Sequence, residues 1–189
     1  LCYVDLGGGY WGGAPGHPDL RDYIPAIARE LSRHFRPEET ALILEPGVSL
    51  VSRGFRFVTT VREVKTIRGE VFVVTDGGRV DLNPQVTRRT YPHSMVYMDH
   101  DRPMLPHQMI CGYTCMEYDR LFDETDAPAL RPGDLVVYDR AGGYTLSLEP
   151  LFIRALPAVY IEKTDGSVYT AREAWDVDEY LQKNHMEGR

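Results

Sequence analysis

No stretch of this chain approaches the run of roughly 20 apolar residues that a membrane-crossing helix needs, although 43% of its 189 residues are hydrophobic. A basic-then-apolar segment of secretory type is also missing from the sequence, so a leader is not expected. Cysteine is scarce: Cys2, Cys111 and Cys115 are the whole complement. Three thiols form no even disulfide framework, which makes a reducing, cytoplasmic setting the expectation. Cys111 and Cys115 lack a matching second pair, so no metal is expected between them. Positive charge is short as well, with 21 Lys and Arg against 28 Asp and Glu for a net charge of -7. The cations are scattered among acids, an ordinary solvated surface, and neither nucleic acid nor a membrane is an expected partner.

What is present divides into two textures. Up to about Arg53 the order is strand, Gly-rich loop, helix, strand. HPDLRDYIPAIARELSRHF carries Leu20, Ile24, Ile27, Leu31 and Phe35 at steps of three and four, the mark of an amphipathic helix. Pro25 inside it predicts a kink or a late start near Tyr23. ALILEP is then a short, nearly continuous apolar strand, as in a parallel sheet covered by helices. From about Phe55 the runs FRFVTTVREVKTI, EVFVVTDGG, SMVYMD, DLVVYDRAGGYT and AVYIEKTDGSVYT are short, β-rich and broken by turn residues. Asp76-Gly77 and Asp165-Gly166 read as hairpin turns. The expectation is an α/β segment over 1–54 followed by an antiparallel, barrel-like β-domain over 55–189, with EAWDVDEYLQKNHMEGR as a weak helix or frayed tail.

Four stretches carry chemistry. Gly7, Gly8 and Gly9 follow the strand YVDL and precede a helix. Successive amides without Cβ atoms can curl around an anion, and a following helix N-terminus favours it. A ligand-free tight turn would use the same residues, and the spacing is not that of a dinucleotide loop. The next strand ends in Glu45, Pro46 and Gly47. Ends of adjacent parallel strands open on one side, so the glycines and Glu45 would face a common pocket; a surface Glu before a turn is the alternative. Cys115 sits in the polar loop ICGYTCMEYDRLFD, where Glu117 and Asp119 suit a proton donor better than a thiolate nucleophile. Tyr144 closes DRAGGYT, either as a phenol donating to a phosphate oxygen or as a packed Tyr beside a bulge.

Together, VDLGGGYWGG, LILEPGVSLV, CGYTCMEYDRLF and LRPGDLVVYDRAGGYT, in this order, resemble the fold-type III pyridoxal-phosphate decarboxylases, the group of ornithine, diaminopimelate, arginine and carboxynorspermidine decarboxylases. The resemblance runs from the first strand to about Phe152. It implies the last two β/α units of a (β/α)8, alanine-racemase-like barrel followed by the β-domain. It implies pyridoxal 5'-phosphate, with Gly7, Gly8, Gly9, Gly47 and Tyr144 on the phosphate and Glu45 on the pyridine nitrogen. It implies a homodimer in which the Cys115–Asp119 loop reaches the partner's cofactor, with Cys115 as the acid that protonates the carbanion and Met116, Glu117 and Asp119 facing an amino-acid substrate.

Two positions depart from that pattern. Val48 stands where the family has Arg after E-P-G, which weighs against diaminopimelate as substrate. Met116 stands where an acid would hold a distal amine, which weighs against ornithine and lysine, although Glu117 follows. The cofactor lysine and ring-stacking histidine of the family belong to the first barrel half, to which nothing here corresponds. Lys65 and Lys163 lie in β-domain stretches and do not replace that lysine. The missing half is expected in the same or a second chain, and the 189 residues alone are not expected to turn over substrate. The rival readings are a catalytically silent homologue that binds an active relative, an amino-acid racemase of the same fold type, and a free-standing β-barrel binding module.

Overall fold

A computed structural model describes residues 1–12, 16–87 and 91–185. Contacts group the chain into two units, Leu1–Leu148 and Glu149–Arg189.

The first unit opens with β1 (Tyr3–Asp5), α1 (Leu20–Leu31) and β2 (Ala41–Ile43). β1 and β2 pair in parallel, Tyr3 with Ala41 through Asp5 with Ile43. The pairing continues past both strands: Leu6 donates to the Ile43 carbonyl at 3.1 Å and Glu45 to the Gly7 carbonyl at 2.8 Å. α1 starts earlier than Pro25 suggested. The Asp19 side chain accepts from the Arg21 amide at 2.7 Å and Asp22 accepts from the Asp19 amide at 2.8 Å. This reciprocal cap nucleates the first turn and outweighs the donor that Pro25 removes inside the helix. Leu20, Tyr23, Ile27, Leu31 and Phe35 are half-buried, whereas Ile24 stays 44% exposed. The inward face is therefore rotated by one residue from the expected one.

After α2 (Val48–Val51) comes a six-stranded sheet made by β3 (Arg56–Ile67), β4 (Glu70–Thr75), β5 (His93–Val96), β6 (Met104–Cys111), β7 (Arg120–Pro128) and β8 (Leu135–Asp139), in the order β5-β8-β3-β4-β6-β7. α3 (Arg79–Leu82) lies between β4 and β5. β3 is shared: Arg56–Thr60 pairs with β8, and Val61–Ile67 pairs with β4 through a bulge between Val61 and Glu63. A bulge adds bend and twist, and here it sits where the strand changes partner. The two edge strands meet through side chains. His93 on β5 lies 2.9 Å from Glu124 on β7 and stacks on Phe122 at 4.0 Å. The sheet is thus curled, and its interior holds Val61, Val73, Leu82, Ile110, Val136 and Tyr138. Each fully buried aliphatic side chain there contributes about 1.5–3 kcal/mol.

Two expectations about this region are corrected. The sheet is mixed, not wholly antiparallel, because β4 and β6 pair in parallel. Parallel neighbours need a crossover of a dozen or more residues, and the chain from α3 through β5 supplies it. Asp76-Gly77 ends β4 but leads into α3, so it is no hairpin turn. The hairpin joining β3 to β4 turns at Arg68 and Gly69, with φ of 53° and 88°, the pair of positive values that a tight two-residue turn demands.

The second unit holds β9 (Val159–Glu162) and β10 (Val168–Arg172), an antiparallel hairpin. Its turn is the expected Asp165-Gly166: Asp165 accepts from the Ser167 amide at 2.9 Å and hydroxyl at 2.6 Å, and Gly166 has φ of 81°. α4 (Val177–Tyr180) is capped by Asp176 and Glu179, and 186–189 of the expected tail lie outside the described residues. No helix among the described residues is long and apolar enough to cross a membrane.

Candidate functional site

The parallel pairing of β1 with β2 sets the turn after one strand beside the turn after the other. Gly7 and Gly9 take φ of 64° and 88°, in the left-handed region that only glycine enters freely. Gly8 lies so close to the second turn that a Cβ on it would stand 2.7 Å from the Glu45 carbonyl oxygen. The Gly7 amide is not left for an anion, since it donates to the Asp5 carboxylate at 2.9 Å. Among the described residues the amides of Gly8 and Gly9 make no hydrogen bond. Glu45 is exposed, and its carboxylate forms no hydrogen bond or ion pair among the described residues.

The sheet delivers a third segment to the same place. Beyond β8, Ala141 donates to the Phe55 carbonyl at 3.0 Å and Gly142 to the Ser52 carbonyl at 3.4 Å. A Cβ on Gly142 would stand 2.2 Å from the Val51 carbonyl, and one on Gly143 would stand 3.2 Å from Val48 Cγ2. The chain therefore passes flush against α2 and then turns sharply, with φ of 85° at Gly143 and 58° at Tyr144. A left-handed tyrosine is costly by on the order of 1 kcal/mol. The conformation sets its ring 55% exposed, with the hydroxyl 3.8 Å from the Cβ position of Gly47. Glycine triplet, Glu45, Gly47 and Tyr144, distant in sequence, thus gather around one spot.

Behind them the Gly12 carbonyl accepts from Arg53 Nε at 3.0 Å and Arg140 Nη1 at 2.5 Å. Sequence reading passed over both arginines; the only hint was a further glycine in a segment already dense with it. Ser49 Oγ, in the first turn of α2, is buried with no hydrogen-bond partner among the described residues.

The Cys115 loop is organised elsewhere, between β6 and β7. Asp119 is 2% exposed, and its carboxylate accepts from the amides of Arg79 at 2.6 Å and Thr114 at 2.9 Å and from the Thr114 hydroxyl at 2.7 Å. Cβ atoms at Gly78 and Gly112 would stand 2.6 Å and 2.3 Å from that carboxylate. Its side chain thus faces the interior and holds the loop together. Arg79 clamps the other side, donating to the carbonyls of Tyr118 and Arg120 and to the Tyr91 hydroxyl. Held this way, the loop leaves Cys115 and Glu117 exposed and Met116 half-buried. The bonds that fix it run to α3 and the start of β7; the Gly7–Gly9 and Glu45 turns take no part in them. Cys111 is a different kind of thiol: burial pushes it up to about 11, Arg120 opposing and Asp119 adding.

The family description "Pyridoxal-dependent decarboxylase, C-terminal sheet domain" matches residues 49–142, the segment from α2 through the whole curled sheet. The chain belongs to the pyridoxal-dependent decarboxylase family. Over 94% of its length it is 32% identical to an L-glutamyl-(BtrI acyl-carrier protein) decarboxylase of Niallia circulans, covering 45% of that protein. It is 30% identical over 96% of its length to a carboxynorspermidine/carboxyspermidine decarboxylase of Herminiimonas arsenicoxydans, covering 47% of it. In fold it is similar to the crystal structure of a diaminopimelate decarboxylase from Helicobacter pylori complexed with L-lysine, with a TM-score of 0.73 and 21% identity over 95% of this chain and 43% of that one. The chain spans about half the length of these decarboxylases.

Proposed function

We propose that this chain is the carboxyl-terminal part of a pyridoxal-5'-phosphate-dependent amino-acid decarboxylase, a lyase of amino-acid metabolism. In this reading β1, α1 and β2 are the last two β/α units of a (β/α)8 barrel whose remainder lies in the same or a second chain. The observation that carries it is the meeting of the Gly7–Gly9 turn with Glu45 and of Gly47 with the Tyr144 hydroxyl.

The residues fit the cofactor. A phosphate monoester needs converging donors, and the Gly8 and Gly9 amides, the Gly47 turn and the Tyr144 hydroxyl supply them; Gly7 shapes the turn. A pyridine nitrogen needs a carboxylate to keep its proton, and Glu45 is a carboxylate with no competing partner among the described residues. When bound, pyridoxal phosphate provides the electron sink that decarboxylation requires. Glu45 would hold a proton on the ring nitrogen, and the glycine turn and Tyr144 would orient the phosphate end. Cys115 Sγ delivers a proton to the substrate's α-carbon from a loop that crosses a homodimer interface. Asp119 fixes that loop from within, leaving Met116 and Glu117 toward the substrate. An apolar Met116 and an uncharged Val48 favour a substrate without a simple distal amine or second carboxylate beside them. Among the matched relatives, the one acting on a carrier-protein-bound glutamyl group illustrates such a substrate.

The test uses the full-length protein: cofactor binding followed by absorbance, then a screen of amino acids and carrier-bound aminoacyl groups for CO2 release. Glu45→Gln keeps cofactor binding and slows decarboxylation on the order of a hundredfold. Unaltered turnover would show that Glu45 is not the ring-nitrogen partner. A cofactor titration without spectral change would favour the silent homologue instead.

A further inference from the structure

Three residues beyond the glycine triplet, two guanidinium groups converge on one oxygen. The Gly12 carbonyl accepts from Arg53 Nε at 3.0 Å and from Arg140 Nη1 at 2.5 Å. Gly12 is buried, and a Cβ on it would stand 2.3 Å from Ser52 Oγ and 3.3 Å from the Val48 carbonyl. The backbone after the glycine turn is thereby pressed against α2. Arg140 reaches it from 128 residues away in sequence, out of a left-handed conformation with φ of 55° that non-glycine residues avoid. That conformation sits at the root of the segment that also presents Tyr144.

The charges are as informative as the bonds. Two guanidinium groups that donate to one acceptor concentrate positive charge beside the chain that follows the glycine turn. Asp19 lies 3.8 Å from Arg53 Nη1 and is one of the groups that offset this charge. Arg53 is more than half exposed while Arg140 is half-buried, so Arg140 acts through the less screened medium. Val48, next to Gly47, gives the turn no cation of its own. We propose that Arg140, assisted by Arg53, is the positioning residue of the phosphate site: through Gly12 it fixes the chain behind Gly8 and Gly9, and its charge raises the affinity for a phosphate monoester held there. This rests on the cofactor site proposed above.

The experiment compares pyridoxal 5'-phosphate with pyridoxal, which lacks the phosphate, by absorbance titration of the full-length protein and its Arg140→Met, Arg140→Lys and Arg53→Met variants, each checked for folding by circular dichroism. Wild type binds the phosphorylated ligand more tightly. Arg140→Met weakens that binding about tenfold, the order of one unit charge acting through protein, and leaves pyridoxal binding unchanged. Arg53→Met has a smaller effect of the same kind, and Arg140→Lys keeps most of the preference. Val48→Arg in the Arg140→Met background restores it. Equal loss for both ligands, or no loss in Arg140→Met, would overturn the arginine assignment while leaving the cofactor site intact. A wild-type protein that did not prefer the phosphorylated ligand would overturn the site itself.

Discussion

Asp134→Asn tests the interior of the sheet unit most directly. Arg102 and Asp134 have side chains only 3% and 1% exposed. Arg102 donates to both Asp134 oxygens, one at 2.8 Å, and also to the Ala129 carbonyl at 2.9 Å. Asp134 accepts in addition from the amides of Met98 at 2.9 Å and Arg131 at 2.7 Å. The pair therefore ties the loop before β6 to the turn before β8. Breaking a buried pair from one side costs about 3–5 kcal/mol, because the remaining charge stays uncompensated. Asn keeps one acceptor, and Asp99 still faces Arg102 at 2.6 Å, so the lower end applies, about 3 kcal/mol. For a chain of this size that is a fall in Tm of about 6–12 °C.

The acid limb supplies a second readout. Burial alone would raise the Asp134 carboxyl, but the Arg102 hydrogen bond and the amides of Met98 and Arg131 outweigh it and hold the group below its ordinary value. A depressed carboxyl stabilises the fold fully above its unfolded value, about 3.9, and that contribution fades as pH falls through the lower folded value. Thermal melts followed by circular dichroism between pH 3 and 7 should show wild type losing stability below about pH 4 and Asp134→Asn losing less there. A variant within 1 kcal/mol of wild type at pH 7, with the same acid limb, would refute the reasoning.

Two further outcomes are expected. Gly112→Ala puts a Cβ 2.3 Å from the Asp119 carboxylate, so it should disorder the Cys115 loop, cost about 1–3 kcal/mol and change the rate at which iodoacetamide labels Cys115; an unchanged melt and labelling rate would contradict the loop account. Cys111, pushed up to about 11 by partial burial, should alkylate much more slowly in native protein at pH 8 than once the protein is unfolded, as peptide mass spectrometry would reveal; equal labelling in the two states would count against its half-buried setting.

Local patterns predicted what local forces decide. The period of three and four from Leu20 to Phe35 marked α1, and Asp165-Gly166 marked a real hairpin, because a helix face and a tight turn are settled within a few residues. Partner choice is another matter. Alternation along β4 says which side chains point inward but not that β6 lies parallel beside it. Asp119 read as a polar loop acid because its burial depends on two glycines, Gly78 and Gly112, from separate segments. Arg140 and Gly12 touch across nearly the whole first unit, and no periodicity connects them. The order of the motifs was readable; the convergence of their ends is a property of the pairing of β1 with β2 and of the turn beyond β8.

β3 works as a common spine, since its first half belongs to one ladder and its second half to another. A single inserted or deleted residue within Arg56–Ile67 would throw one ladder out of register with the other, so that the two could not both keep their pairing. The seam where His93 meets Glu124 and Phe122 has no such constraint, because side chains rather than a backbone ladder close it. Length variation among kindred proteins should therefore accumulate beside the seam and spare the spine.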